Sequence, residues 1–184
     1  SRSGEISSMM PVFMEFADKM RALPRYKDYQ FVVAAAPSRS MSDYSSYIGG
    51  REPYVKVVFG QSYAVLRHAE AAVVNSGTAS LETALIGTPQ VVAYKSAEIN
   101  FLIAKQIIKI KYISLGNLIL NRTCFRELLQ FYFTPENVLE EVIRMIEDTE
   151  YRETMLAGYQ EIREALGGRG ASAAVAKAMI EDMR

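Results

Sequence analysis

Apolar positions follow two rhythms along this chain. Before residue 97, compact apolar runs alternate with stretches of helical spacing; after it, helical spacing dominates. Ile6, Met9, Met10, Phe13, Phe16 and Met20 recur at helical intervals and predict an amphipathic helix from about 5 to 22. Residues 31–35 then read as a buried strand, 40–47 as a short helix with a loop at Gly49-Gly50, and 55–59 as a second strand. A helix over 62–68, a strand over 71–75, a helix over 77–86 and a strand over 90–94 complete the first half. Strands alternating with helices predict a parallel sheet with right-handed crossovers, a Rossmann-like α/β fold.

The second half is helical in character. Residues 99–110 are strongly apolar on more than one side, which fits a helix buried all round. Lys105, Lys109 and Lys111 beside that apolar surface leave a membrane-contact reading open. Val138, Leu139, Val142, Met145 and Ile146 mark one amphipathic stripe. Tyr151, Met155, Tyr159, Ile162 and Leu166 mark a second, which Gly167-Gly168 ends. Ala171, Ala174, Val175, Ala178 and Met179 mark a third. No repeat and no low-complexity tract interrupts the chain.

Composition narrows the classes. The 184 residues suffice for one full core. At 49% hydrophobic and 23% charged, the chain is an ordinary globular protein. Its formal net charge is zero, so nothing electrostatic favours nucleic acid. A lone Cys124 excludes an intrachain disulfide and lacks the Cys/His spacing of a metal site. No apolar run approaches the roughly 20 residues of a membrane span. No Ser-His-Asp or Cys-His arrangement can be read.

The most informative stretch is 75–95. A strand ends at Asn75, Ser76 and Gly77 turn the chain, and a compact helix follows until Gly87 and Pro89 stop it. A small-residue turn at the C-terminal end of a parallel strand is where open α/β sheets bind ligands. The backbone N–H groups of the first helical turn attract anions there, phosphates above all. Glu82 lies about one turn further, on the order of 6 Å along the axis. Its carboxylate suits the two hydroxyls of a ribose, or else it complements the helix dipole. It is no capping-box partner, because Ala79 three positions earlier has no oxygen to cap with.

Residues 76–95, from Ser76-Gly77-Thr78-Ala79 through Glu82 to Tyr94-Lys95, resemble the nucleotide-sugar signature of the lipid-A-disaccharide synthase family, two-domain GT-B glycosyltransferases. Three more stretches resemble that family in the same order. Ser1-Arg2-Ser3-Gly4-Glu5-Ile6 is similar to the end of its Pro-Gly-Ser-Arg-x-x-Glu-Ile motif. Residues 112–117 resemble its Tyr-Val-Ser-Leu-Pro-Asn, with Gly116 in place of Pro and hence a more mobile loop expected. Residues 126–130 resemble its Pro-Glu-Leu-Leu-Gln, with Arg126 in place of Pro.

The resemblance covers the family's C-terminal, donor-binding half. It implies transfer of 2,3-diacylglucosamine from UDP-2,3-diacylglucosamine to 2,3-diacylglucosamine 1-phosphate. The products are a β-1,6-linked lipid A disaccharide phosphate and UDP. It implies a missing N-terminal domain that holds the lipid acceptor and the catalytic base, so no catalytic residue is expected here and the fragment alone should turn over nothing. It also implies peripheral attachment to the cytoplasmic face of the inner membrane of a Gram-negative bacterium, and no metal or other cofactor. Residues 1–130 are expected to form the UDP-sugar-binding domain. Residues 131–184 are expected to be helices packed on it or on a partner, with an exposed apolar patch open to homodimer formation.

Residue by residue, the resemblance places Ser76, Gly77, Thr78 and Ala79 on the diphosphate, Glu82 on the ribose and Arg2 on the departing diphosphate. Asn117 suits a sugar hydroxyl or phosphate, since its amide both donates and accepts; a turn-forming Asn is the other reading. Glu127 and Gln130 face the sugar or diphosphate, or else a solvated helix face. Tyr94 contacts the nucleotide or packs. Ser38 and Ser40 read chiefly as loop and cap serines, and His68, the only histidine, as structural. Two other readings stay open: another UDP-sugar enzyme of the GT-B class, transferase or epimerase, and a non-catalytic nucleotide-binding module.

Overall fold

The computed structural model describes residues 3–95 and 111–167. In chain order its elements are α1 (Ser3–Ala22), β1 (Phe31–Ala35), α2 (Ser45–Ile48), β2 (Val55–Phe59), α3 (Ser62–His68) and β3 (Ala72–Asn75). There follow α4 (Thr78–Ile86), β4 (Gln90–Tyr94), α5 (Leu115–Leu120), β5 (Glu127–Leu129), α6 (Pro135–Glu147) and α7 (Thr149–Ala165). Every described strand pair is parallel, in two pieces: β1 with β2, and β3–β4–β5 with β4 central. Phe31 lies opposite Val55, Asn75 opposite Ala93, and Tyr94 opposite Leu129, so the strand ends are level at one edge.

The predicted parallel α/β fold is therefore what forms. The predicted strands over 31–35, 55–59 and 90–94 and the helix over 62–68 keep their boundaries. β4 is buried along its first four residues because it has a strand on each side and helices above and below. α1 packs on α6, while α4 packs on α3, α5 and α7. Right-handed crossovers put these two sets of helices on opposite faces of the sheet. Phe125, Phe133, Met20, Leu128, Met145, Met155 and Ile162 are the largest apolar side chains sealed in the core.

Four expectations need correcting. The helix over 40–47 is a single 3-10 turn, Met41–Asp43, started by the Ser40–Asp43 capping box, and the one-turn α2; Tyr44, whose N–H donates to Met41 O, separates them. Residues 126–130, read as a helix face, contain strand β5, since pairing with Val92, Ala93 and Tyr94 overrides local preference. Gly116 is not a mobile loop residue: it is buried in α5, where an added Cβ would lie 2.8 Å from Phe125 Cζ and 3.0 Å from Ile162 Cδ1. The first two C-terminal stripes, Leu166 apart, are not exposed, because α6 and α7 bury Val138, Met145, Met155 and Ile162 in the domain's own core. The third stripe and the apolar 99–110 stretch lie outside the described residues, as does Arg2.

Candidate functional site

β3 and α4 are joined by a two-residue turn, Ser76-Gly77, at the C-terminal edge of the sheet. Ser76 extends the ladder by donating its N–H to Ala93 O at 3.0 Å. Gly77 then takes φ 139° and ψ −158°, a conformation open essentially to glycine alone. That twist lets Thr78 begin α4 immediately, with Gly77 as N-cap and no side chain capping it. Ser80 closes the turn instead, its hydroxyl donating to Gly77 O at 2.8 Å. The N–H groups of Gly77, Thr78 and Ala79 have no partner among the described residues, and all three residues are exposed. An uncapped helix start with its donors in solvent is a ready anion site.

Glu82 stands one turn along α4, half-buried, with no hydrogen bond or ion pair among the described residues. A carboxylate so placed offers acceptors to paired hydroxyls. Tyr94 ends β4 half-buried. The first turn of α1 converges on this edge: Asn75 Nδ2 donates to Glu5 Oε2 at 3.1 Å, and Ser8 Oγ donates to Lys95 O at 3.0 Å.

Asn117 and Glu127 are brought together. Asn117 is fully buried in α5. Its Nδ2 donates to Phe125 O and Glu127 Oε1 at 2.9 and 2.8 Å, and its Oδ1 accepts from the N–H groups of Cys124 and Phe125. Those four bonds exhaust the amide. Glu127 caps the start of α5, accepting from the Ile113 and Ser114 N–H groups and from the Ser114 hydroxyl. The pair ties residues 113–127 into one unit behind the strand ends.

Gln130 follows β5 at the open edge with φ 49°, a left-handed conformation costly for a side-chain-bearing residue. Its Nε2 is buried without a hydrogen-bond partner among the described residues. Asn75 Oδ1, at the end of β3, is the same. Two buried polar atoms at one edge of a sheet, both without partners among the described residues, mark a place that calls for a further bonding group. Asn75 escaped the sequence reading, where it served only to end a strand; its signal was an amide side chain at the last strand position before Ser76-Gly77. Phe131 and Tyr132, beside Gln130, escaped it too. They are 70% and 65% exposed, too much for side chains of core type.

Elsewhere the sequence candidates are ordinary. His68 ends α3 and lies exposed at the opposite edge of the sheet, where β3 begins. Ser40 takes part in the capping box, with its N–H on Asp43 Oδ2 at 3.0 Å. Cys124 is buried, and burial pushes its thiol up to about 11. Among the described residues no group of His, Cys, Asp and Glu could hold a metal, and no helix is long and apolar enough to cross a membrane.

Comparison with known proteins adds to this geometry. A family model described as lipid-A-disaccharide synthetase matches residues 1–179. A lipid-A-disaccharide synthase of Anaeromyxobacter dehalogenans strain 2CP-C is 35% identical over 185 residues, covering 100% of this chain and 48% of that protein. One from Myxococcus xanthus is 36% identical over 181 residues, covering 98% and 47%. One from Trichlorobacter lovleyi is 34% identical over 172 residues, covering 93% and 44%. The chain thus spans about half the length of the curated relatives it matches.

Proposed function

The chain belongs to the lipid-A-disaccharide synthetase family of glycosyltransferases, and on that premise we propose that it is the donor-binding half of such an enzyme. Residues 1–130 hold UDP-2,3-diacylglucosamine, and the later helices brace them. The diphosphate sits on the exposed N–H groups of Gly77, Thr78 and Ala79, with Ser76 and Thr78 hydroxyls beside it and Arg2 as counter-charge. Glu82 accepts the ribose hydroxyls, and Tyr94 lies beside the nucleotide. Gln130 Nε2 and Asn75 Oδ1 find in the sugar and diphosphate the partners they lack among the described residues. Asn117 and Glu127 act through the loop they hold. Phe131 and Tyr132 offer apolar surface next to Gln130 for a lipid-bearing substrate.

In this reading the sugar moves to a hydroxyl of 2,3-diacylglucosamine 1-phosphate, whose proton is taken by a base in the enzyme's other domain. UDP departs as its charge settles on the α4 N-terminus and Arg2. Both substrates are lipids, so the enzyme works as a peripheral protein on the cytoplasmic face of the inner membrane. The single observation that carries the reading is the uncapped, glycine-dependent start of α4 with an unengaged Glu82 one turn beyond.

Titration with UDP by calorimetry or NMR, with GDP and ADP as controls, tests it. UDP should bind selectively, and Glu82→Ala should weaken it roughly 10- to 100-fold, the worth of a charge-assisted hydrogen-bond pair. Equal binding of all three nucleotides, or UDP binding indifferent to Glu82→Ala, would sink the assignment.

A further inference from the structure

Asn75 holds the last paired position of β3, opposite Ala93, and Ser76 directly after it donates its N–H to Ala93 O at 3.0 Å. The backbone is thus pinned on both sides of the Asn75 side chain. Its Nδ2 donates to Oε2 of Glu5, in the first turn of α1, at 3.1 Å. That turn is itself anchored, since Ser8 Oγ donates to Lys95 O just past β4. The bond to Glu5 settles which end of the amide points where. The two ends of an amide have nearly the same shape, but a carboxylate only accepts, so the nitrogen must face Glu5.

Oδ1 is left over. It is buried, and no donor among the described residues reaches it. The commonest local use of such an oxygen is an Asx turn onto the N–H two residues later. It is not made here: the Gly77 N–H also lacks a partner among the described residues. A buried acceptor in this state calls for a donor.

Gln130 supplies the contrast. β3 and β5 flank β4, so Asn75 and Gln130 leave the same edge two strand spacings apart, roughly 10 Å. Gln130 offers an unpartnered donor, Nε2, and Asn75 an unpartnered acceptor. An ionised diphosphate carries acceptors alone. It can serve Gln130 and the N–H groups at the start of α4, but never Asn75. Order along the chain points the same way. Glu82 comes one turn into α4, the 77–79 N–H groups at its start, and Asn75 before them. A UDP-sugar runs in the same sequence, from ribose through diphosphate to sugar.

On the donor-binding reading above, on which this rests, we infer that Asn75 is a specificity residue whose Oδ1 accepts a hydrogen bond from the transferred sugar, from a hydroxyl or from the amide N–H of a glucosamine. Glu5 is the positioning residue that keeps the oxygen, rather than the nitrogen, on the sugar's side.

Calorimetry with UDP, UDP-glucose and UDP-N-acetylglucosamine tests this on the chain and its variants. Asn75→Ala should weaken sugar-nucleotide binding about 5-fold and leave UDP within about 2-fold, which also shows that the variant is folded. A loss on both UDP-sugars assigns the bond to a hydroxyl; a loss on UDP-N-acetylglucosamine alone assigns it to the amide N–H. Glu5→Gln, whose amide can meet Asn75 either way round, should lose part of the same preference. Asn75→Asp alone sets two carboxylates together and should lose it as well. Combining Glu5→Gln with Asn75→Asp reverses the polarity of the pair, keeps the total charge and restores an acceptor where Oδ1 stood. The double variant should regain the ratio of UDP-sugar to UDP affinity that each single change loses. Recovery of Tm without that ratio overturns the proposal. So does a loss equal on UDP and the UDP-sugars, or no loss on any of them, and in both cases the donor-binding reading stands. A parent chain that binds no UDP fails that reading, and this proposal falls with it. Should Asn75→Ala not fold, the double variant carries the test.

Discussion

Asn117 spends its entire amide inside the protein, and that sets what its loss would do. Truncation to Ala would orphan the Cys124 and Phe125 N–H groups and strip one donor from the Glu127 carboxylate. Buried donors left unpaired cost about 1–3 kcal/mol each. Asn117→Ala should therefore lower unfolding free energy by roughly 2–4 kcal/mol in urea titration, without a change in m-value. A loss below about 0.5 kcal/mol would show that the network carries little. The sequence offered an Asn in a turn and two readings of it; the choice depended on Cys124 and Phe125 folding back across α5, a tertiary fact with no local signature. Gly77 is the opposite case. A glycine between a strand's last residue and a helix's first already states the backbone it needs, so the turn was legible residue by residue. Gln130 was half legible: its place at the end of the 126–130 motif was visible, but its left-handed backbone and its amide, unpartnered among the described residues, were not.

At the scale of elements, α7 is held against the α5–β5 connection by a notch at Gly158. A Cβ there would strike Cys124 Sγ, with Arg122 Nη2 at 3.7 Å. Gly158→Ala should cost about 1–3 kcal/mol through overpacking, despite the better helix propensity of Ala. Removing the sulfur by Cys124→Ala should return most of that in the double variant. The coupling, from a thermal or urea double-mutant cycle, should exceed about 1 kcal/mol in favour of the pair; additive effects would mean that the notch relaxes some other way. Periodicity found α6 and α7 as elements and even their buried stripes. It could not say what they would be buried against, and the open patch expected of them closes because α6 lies on α1 and β4 and α7 on α4 and α5. β5 was missed for a related reason: three residues carry too little pattern to compete with a helical reading until β4 supplies the partner.

Over the whole molecule, the titrating groups set a lopsided pH profile. Burial pushes the Cys124 thiol up to about 11 and the Tyr26 phenol up to about 12, the latter helped by its bond to Glu147. Burial also raises Tyr29, Tyr54, Tyr151 and Tyr159 above the usual phenol range. In each, the folded protein keeps a proton that the unfolded chain has already released. Stability from these groups is thus complete below their unfolded pKa values, near 9 for the thiol and 10 for the phenols, and declines as pH rises toward the folded ones. On the acid side, the Arg51 hydrogen bond holds Asp18 below its ordinary value of 3.8, against a smaller opposing effect of burial. Its contribution is present above that pH and fades as pH falls further. Because the pair is part-exposed, the acid arm should be shallow. Urea midpoints should accordingly stay nearly level from pH 5 to 8.5 and drop progressively from about pH 9 to 11. Tyr26→Phe, which removes a phenol that must ionise, should flatten the upper end of that decline. A midpoint that rises above pH 9, or a decline already complete by pH 8, would show that groups other than these buried thiol and phenol protons govern the alkaline limb.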